Sequence, residues 1–267
     1  MRSKPPVLCY HRIGGPLELG VTRVGSSVFA RQMSALARAG WRTLTLDEFS
    51  KRRTTHDERR TFLLTFDDGY ASLAEHAYPV LADLGFTATT FLITEYVGRT
   101  NTWDVQYTWQ RLRHLSWPEI ERWRARGFDF ASHSATHQRL TWLDDAATET
   151  ELRGSREALT ARLGPEAGSA IAYPFGAVDT RVLRQARSAG YELGFAGVKG
   201  SGEALHLSRV PVYFWDAGNV PFGLRDDGIG SLGRTVAHLA NRCAVGTTLM
   251  HALTRKTGPL PESVADA

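Results

Sequence analysis

The stretch Thr61-Phe62-Leu63-Leu64-Thr65-Phe66-Asp67-Asp68-Gly69-Tyr70 decides the fold. Four apolar residues set around two threonines predict a strand over 61–66. Two adjacent carboxylates and a glycine follow it. Residues 71–84 then carry a helical pattern, stopped by Gly85. Working outward, the same alternation recurs on both sides. Strands are predicted at 7–10, 42–46, 88–93, 128–131, 170–173, 191–196 and 206–212. Helices are predicted at 27–39, where Phe29, Met33, Leu36 and Ala37 share a face, and at 117–126, opened by Ser116 and Pro118. Two more run from Asp144 to Leu163 and from Asp179 to Ala189. This alternation predicts an α/β protein, a distorted (β/α)7-8 barrel of parallel strands with outer helices.

The length of 267 residues, 42% of them hydrophobic, supports one large domain. It lies near the roughly 250 residues typical of a closed α/β barrel. Residues 1–230 are assigned to the barrel, and 231–267 to a C-terminal helix and tail. The net charge of +4 is spread thinly, and the short basic runs at 51–53 and 59–60 read as solvated faces, so no nucleic-acid partner is expected. No stretch approaches the ~20 apolar residues of a membrane span. The apolar run after Pro6 is too short for a signal peptide, which leads to the expectation of a cytoplasmic protein. Cys9 and Cys243 form no metal-type spacing, and Cys9 reads as a small buried hydrophobe.

The polar residues are informative through their positions. His11 follows the first predicted strand. Asp67 and Asp68 follow the strand at 61–66, His133 and His137 the strand at 128–131, and Pro174-Phe175-Gly176 the strand at 170–173. In parallel barrels the C-terminal strand ends converge on the face that carries the chemistry. An isolated Asp-Asp-Gly is more often a helix N-cap or turn. Two adjacent carboxylates at a barrel mouth, however, repel each other and need a compensating cation or hydrogen-bond donor. His133 and His137, spaced i, i+4, would share one face of a helix. With Asp68 they make a three-ligand set with room for water, a pattern suited to zinc and open to other divalent transition metals. His11 is a proton-transfer candidate, with His251 as its rival. Residues 95–116 form a long connection holding Trp103, Tyr107 and Trp109, which could stack on sugar rings or roof the core.

These motifs resemble the polysaccharide deacetylases of carbohydrate esterase family 4, the NodB-homology group. The matches are Thr65-Phe66-Asp67-Asp68-Gly69-Tyr70, His133-Ser134-Ala135-Thr136-His137 and Ala172-Tyr173-Pro174-Phe175-Gly176. The opening Val7-Leu8-Cys9-Tyr10-His11-Arg12-Ile13 is similar to the branch with circularly permuted motifs that includes the poly-N-acetylglucosamine deacetylases. The resemblance covers about residues 5 to 215. It implies that Asp68, His133 and His137 bind the metal and that Asp67 is the general base toward an activated water. It further implies that His11 is the general acid and that the backbone N–H of Phe175 stabilises the oxyanion. Tyr70, Trp103, Tyr173 and Pro174 are the expected substrate contacts. The family's third-motif arginine is replaced by Ala172, and Arg209 is the candidate cation behind Asp67, or else a cap on a sheet edge.

The expected activity is metal-dependent removal of an N-acetyl group from an amino-sugar in an oligosaccharide, polysaccharide or glycoconjugate. Two alternatives stand beside it. One is a deformylase or amidase acting on a small nucleotide-sugar or natural-product glycoside. The other is a non-catalytic sugar-binding barrel. A glycosidase fits poorly, because its two carboxyls need several ångströms between them.

Overall fold

The computed structural model describes residues 5–15, 21–52, 60–102, 112–221 and 224. The strands are β1 (Val7–Tyr10), β2 (Arg12–Ile13), β3 (Arg23–Val24), β4 (Arg42–Thr43), β5 (Thr61–Phe66), β6 (Thr89–Leu92), β7 (Asp129–Ser132), β8 (Ala170–Ala172), β9 (Leu193–Phe195) and β10 (Val210–Pro211). The helices are α1 (Ser26–Arg38), α2 (Leu46–Arg52), α3 (Ser72–His76), α4 (Tyr78–Asp83), α5 (Trp117–Arg124), α6 (Asp145–Leu163) and α7 (Thr180–Ser188). The main sheet runs β10-β1-β5-β6-β7-β8-β9, and every pairing in it is parallel. β4 adds to the first two residues of β5, on the edge that β6 takes over at Thr65 and Phe66.

The sheet curls until its ends meet. Leu207 bridges in parallel to Phe195 of β9, and three residues on, Val210 pairs with Leu8 of β1. Residues 207–211 therefore span the seam of a distorted barrel. The predicted parallel barrel is the observed fold.

Strand alternation sorts the core into two layers. Leu8, Tyr10, Phe62, Leu64 and Phe66 point outward and pack against Phe29, Met33 and Leu36 of α1 and Tyr78 and Leu81 of α4. Val7, Leu63, Phe91, Ala131, Ala170, Ala172, Leu193 and Phe195 fill the interior. Leu46 and Phe49 of α2 join this inner cluster. The same parity carries past the strand ends: with Leu63 and Thr65 facing in, Asp67 faces in, and with Ala131 inward, His133 follows.

Two local expectations are corrected. The single helix over 71–84 is two short helices meeting at Ala77 (φ −106°, ψ −58°). Pro79 has no N–H to donate and its ring crowds the preceding turn, so the helix restarts around it. The segment 133–137 is not helical. Ser134 and His137 both have left-handed backbone, with φ of 65° and 62°. The expected C-terminal helix, His251 and Cys243 lie outside the described residues, as do Trp103, Tyr107 and Trp109.

Candidate active site

Four strand ends build the site. β5 delivers Asp67 and Asp68, β7 delivers His133 and the loop to His137, β1 delivers His11, and β8 delivers the turn at Pro174–Gly176. Asp68 Oδ1 lies 3.5 Å from His133 Nε2 and 3.5 Å from His137 Nε2. One ligand atom from each of the three lies within 4.8 Å of the others, and all three side chains are buried. Their rings and carboxylate thus converge on one point although no helix carries them. The imidazole centroids of His133 and His137 are 4.8 Å apart.

Backbone strain is concentrated here. Among the described residues, the non-glycine residues with positive φ are Asp68 (69°), Ser134 (65°), His137 (62°) and Phe175 (60°). All four belong to the site. Such conformations cost roughly 1–3 kcal/mol each and persist where surrounding contacts over-determine them. Those contacts are on hand. Asp68 is followed by Gly69 (φ 68°), where a Cβ would meet Leu92 Cδ2 at 2.6 Å. The Asp68 carbonyl accepts from Nδ1 of buried His114 at 2.8 Å. His114 is stacked on Tyr70 at 5.0 Å, and Asn101 donates to the Tyr70 hydroxyl at 3.1 Å. In the histidine loop, Ser134 Oγ accepts from His137 N at 3.0 Å, and Ser132 Oγ accepts from Ser134 N at 3.1 Å. Buried Glu151 of α6 accepts from Thr136 N at 2.9 Å and from the Thr136 hydroxyl.

Second partners also orient the rings. His133 Nδ1 donates to the Ala172 carbonyl at 2.7 Å, which leaves Nε2 as the lone-pair nitrogen facing Asp68. The Phe175 ring packs on His137, with centroids 4.7 Å apart. Burial lowers the pKa of both His133 and His137. That favours neutral imidazole, the form that ligates metals.

Asp67 stands beside this set. Its Oδ1 accepts from Arg209 Nη1 at 2.6 Å and its Oδ2 from Nη2 at 2.8 Å, a two-point guanidinium–carboxylate pair. Arg209 is itself buried and held by a bond from Nε to the Ala196 carbonyl at 3.0 Å. Burial alone would raise the Asp67 pKa. The charge of Arg209, with smaller help from His133 and His11, outweighs it and holds the carboxyl well below the usual range. Arg209, not a third-motif residue, is thus the cation paired with Asp67, while Ala172 in that motif contributes its carbonyl to His133. Oδ2 of Asp67 lies 3.9 Å from His133 Nε2 and 3.9 Å from His11 Nε2. Burial lowers the His11 pKa to about 4 against the pull of Asp67. Cys9, read from sequence as a buried hydrophobe, is buried, but its thiol reaches Asp67 Oδ2 at 3.5 Å.

One expected substrate contact is corrected. Tyr173 faces the outer layer with Ile171, is 0% exposed, and donates its hydroxyl to the Leu205 carbonyl at 3.0 Å. Strand parity puts it behind β8, away from the site. Tyr70 is also buried, in the support under Asp68, and Pro174 lies in the turn that places Phe175. His114 and Glu151 are residues that sequence reasoning missed. Neither belongs to a motif, and the bridge that pairs His114 with Tyr70 links an irregular loop to a strand end.

A parallel barrel with carboxylates and imidazoles gathered at its strand ends has the architecture of a barrel enzyme. The sequence profile of the polysaccharide deacetylase family matches residues 54–194. The chain is 30% identical over 217 residues to YxkH of Bacillus subtilis (strain 168), itself classed with the polysaccharide deacetylases; the match spans 78% of this chain and 72% of that protein. It is 26% identical over 206 residues to a poly-beta-1,6-N-acetyl-D-glucosamine N-deacetylase of Staphylococcus epidermidis, spanning 73% and 68%. The crystal structure of BC0361, a polysaccharide deacetylase from Bacillus cereus, is similar at a TM-score of 0.66 and 29% identity, over 79% of this chain and 65% of that one. The Streptococcus pyogenes deacetylase PplD shares the fold at a TM-score of 0.70 and 23% identity, over 80% and 94%. This chain belongs to the polysaccharide deacetylase family. Among its described residues, no helix is long and apolar enough to cross a membrane.

Proposed function

We propose that this chain removes the N-acetyl group from an amino-sugar unit of a glycan, using a divalent metal held by Asp68, His133 and His137. The observation that carries the reading is the pairing of two distinct carboxylates. Asp68 converges with two neutral-leaning imidazoles, whereas Asp67 is turned to Arg209 and kept ionised beside them. The donor set of one oxygen and two nitrogens fits zinc, and other divalent transition metals can use it. When bound, such a metal polarises the acetyl carbonyl and makes water more acidic.

The chain's own residues supply the rest. Asp67 accepts the proton of the attacking water. Arg209 keeps that carboxylate aimed by gripping both its oxygens. His11, across the 3.9 Å gap from Asp67, is neutral at rest; it would take up the water-derived proton, favoured by the Asp67 charge, and deliver it to the departing sugar amine. The N–H of Phe175, in a turn fixed by its left-handed backbone, faces charge developing on the carbonyl oxygen. A barrel that only bound sugars would have no use for a clamped base beside the ligand set.

The test combines metal analysis with a mass-spectrometric screen of N-acetylated and N-formylated amino-sugar glycans for deacylated products. The purified chain should hold one equivalent of divalent metal and release acetate. His137→Ala should lose both; stoichiometric metal in that variant refutes the ligand set. Asp67→Asn should retain the metal and lose at least ~10²-fold in turnover, the scale of a removed general base. Normal rates in that variant would remove Asp67 from the mechanism, and release of formate alone would move the reading to a deformylase.

A further inference from the structure

The histidine loop leads directly to a cation that the chemistry above does not use. Arg139, two residues beyond His137, lays its guanidinium over Trp142, with Cζ 5.1 Å from the ring centre, and over Phe175 at 6.0 Å. Phe175 in turn touches His137. Arg139, Phe175 and His137 thus form a continuous row from the proposed metal ligands to the surface, where Trp142 is 51% exposed. The Nε of Arg139 is buried and has no hydrogen-bond partner among the described residues. No carboxylate pairs with it among the described residues. The acidic residues nearest in sequence are engaged elsewhere: Asp144 caps α6 through Ala147 N at 2.8 Å, and Asp145 pairs with Arg181 at 3.2 Å.

This differs from Arg209 and Arg181. Arg209 is fully used by Asp67 and a carbonyl, and Arg181 by Asp145, Thr148 and the Leu140 carbonyl. Arg139 has a planar guanidinium, lies against two aromatic rings and has no counter-ion among the described residues. A guanidinium in that state presents fixed N–H donors suited to two-point recognition of an oxyanion. Stacking on the rings limits the rotamer freedom that binding would otherwise have to remove.

We propose that Arg139 and Trp142 form a subsite for an anionic group, a carboxylate or phosphate, on the glycan unit next to the one at Asp68, His133 and His137, so that the substrate is an acidic glycan. Which unit lies beside it rests on the deacetylase reading; the anion preference itself does not. A neutral N-acetylglucosamine polymer offers Arg139 hydroxyl and carbonyl acceptors but no counter-charge, and its deacetylated product is cationic and is repelled.

The test is equilibrium binding to the full chain depleted of metal, where the proposed mechanism turns nothing over, followed by tryptophan fluorescence and calorimetry. The probes are a tetrasaccharide alternating N-acetylglucosamine and glucuronate, a phosphodiester-linked N-acetylglucosamine dimer, and the neutral N-acetylglucosamine tetramer. At low salt, at least one acidic probe should bind about tenfold or more tighter than the neutral one, and which of the two does so identifies the anion. Arg139→Gln should reduce that preference to within twofold, Arg139→Lys should restore part of it, and Trp142→Ala should weaken all three probes. Equal affinities for acidic and neutral glycans, no detectable binding of any, or a preference that survives Arg139→Gln would overturn the subsite. Acetate release by the metal-loaded chain is scored separately. Its absence beside an intact Arg139-dependent preference would remove the deacetylase reading and leave the anion site standing.

Discussion

At the residue scale the site is bought with unusual backbone. Asp68, Ser134, His137 and Phe175 all sit at positive φ, and although Asp and His are enriched there, residue type alone does not announce it. Sequence could pick out Asp67, Asp68, His133, His137 and Arg209 because motif chemistry and strand-end position point to them. It could not show that the two histidines converge through left-handed turns, since i, i+4 spacing suits a helix as well. Nor could it reveal His114, whose role depends on an irregular loop returning to Tyr70. His114 Nδ1 fixes the Asp68 carbonyl at 2.8 Å, so its loss should let Asp68 relax from φ 69°. Outer partners of metal ligands are typically worth 10–100-fold in affinity. His114→Phe should therefore weaken zinc binding by about that factor in a chelator competition assay. His114→Asn, which can return an N–H near the Nδ1 position, should recover most of it. Tighter zinc binding by His114→Phe than by His114→Asn would show that the ring's bulk, not its hydrogen bond, matters.

At the element scale, the strand and helix alternation was readable wherever an element stood under ordinary rules. The Ser116 and Pro118 signals opened α5 at Trp117, and Asp144 and Asp179 cap α6 and α7 through Ala147 N and Val182 N. Reading failed where a proline broke a periodic pattern at Ala77 and where strands were shorter than their apolar runs, as at β10. The start of α5 also carries a pH dependence. Burial pushes the Glu119 carboxyl up, but hydrogen bonds from Arg113 and Ser116 outweigh it and bring its pKa to about 2 from 4.5. A depressed folded-state pKa contributes stability above the unfolded value, and that contribution fades as pH falls toward the folded one. Glu119→Gln can keep the bond to Ser116 N but loses the charge facing Arg113, which sits at 2.6 Å. Thermal unfolding should therefore show the variant less stable than the parent at pH 7, with the gap closing between about pH 4.5 and pH 2. A gap that stays constant across that range would assign the cost to packing.

At the scale of the whole molecule, one segment both closes the barrel and completes the site. Residues 207–211 join β9 to β1, with Leu207 N donating to Gly194 O at 2.8 Å, Arg209 N to Gly197 O at 2.9 Å, and Val210 paired with Leu8. Arg209, in the middle of this seam, reaches across to Asp67 at the end of β5. The same ion pair thus ties the barrel's seam to the proposed base, and it is buried on both sides at 4% side-chain exposure. Breaking a buried pair from one side leaves an uncompensated charge and typically costs about 3–5 kcal/mol, whereas removing both charges together is often close to neutral. Arg209→Met should therefore destabilise the chain by that amount in urea unfolding. It leaves Asp67 ionised in the interior and removes the bond to the Ala196 carbonyl. Adding Asp67→Asn to it should recover most of the loss while the protein stays inactive. A double variant as unstable as Arg209→Met alone would show that the seam is held by the arginine's packing and its carbonyl bond, and that the charge on Asp67 was never what the closure had to compensate.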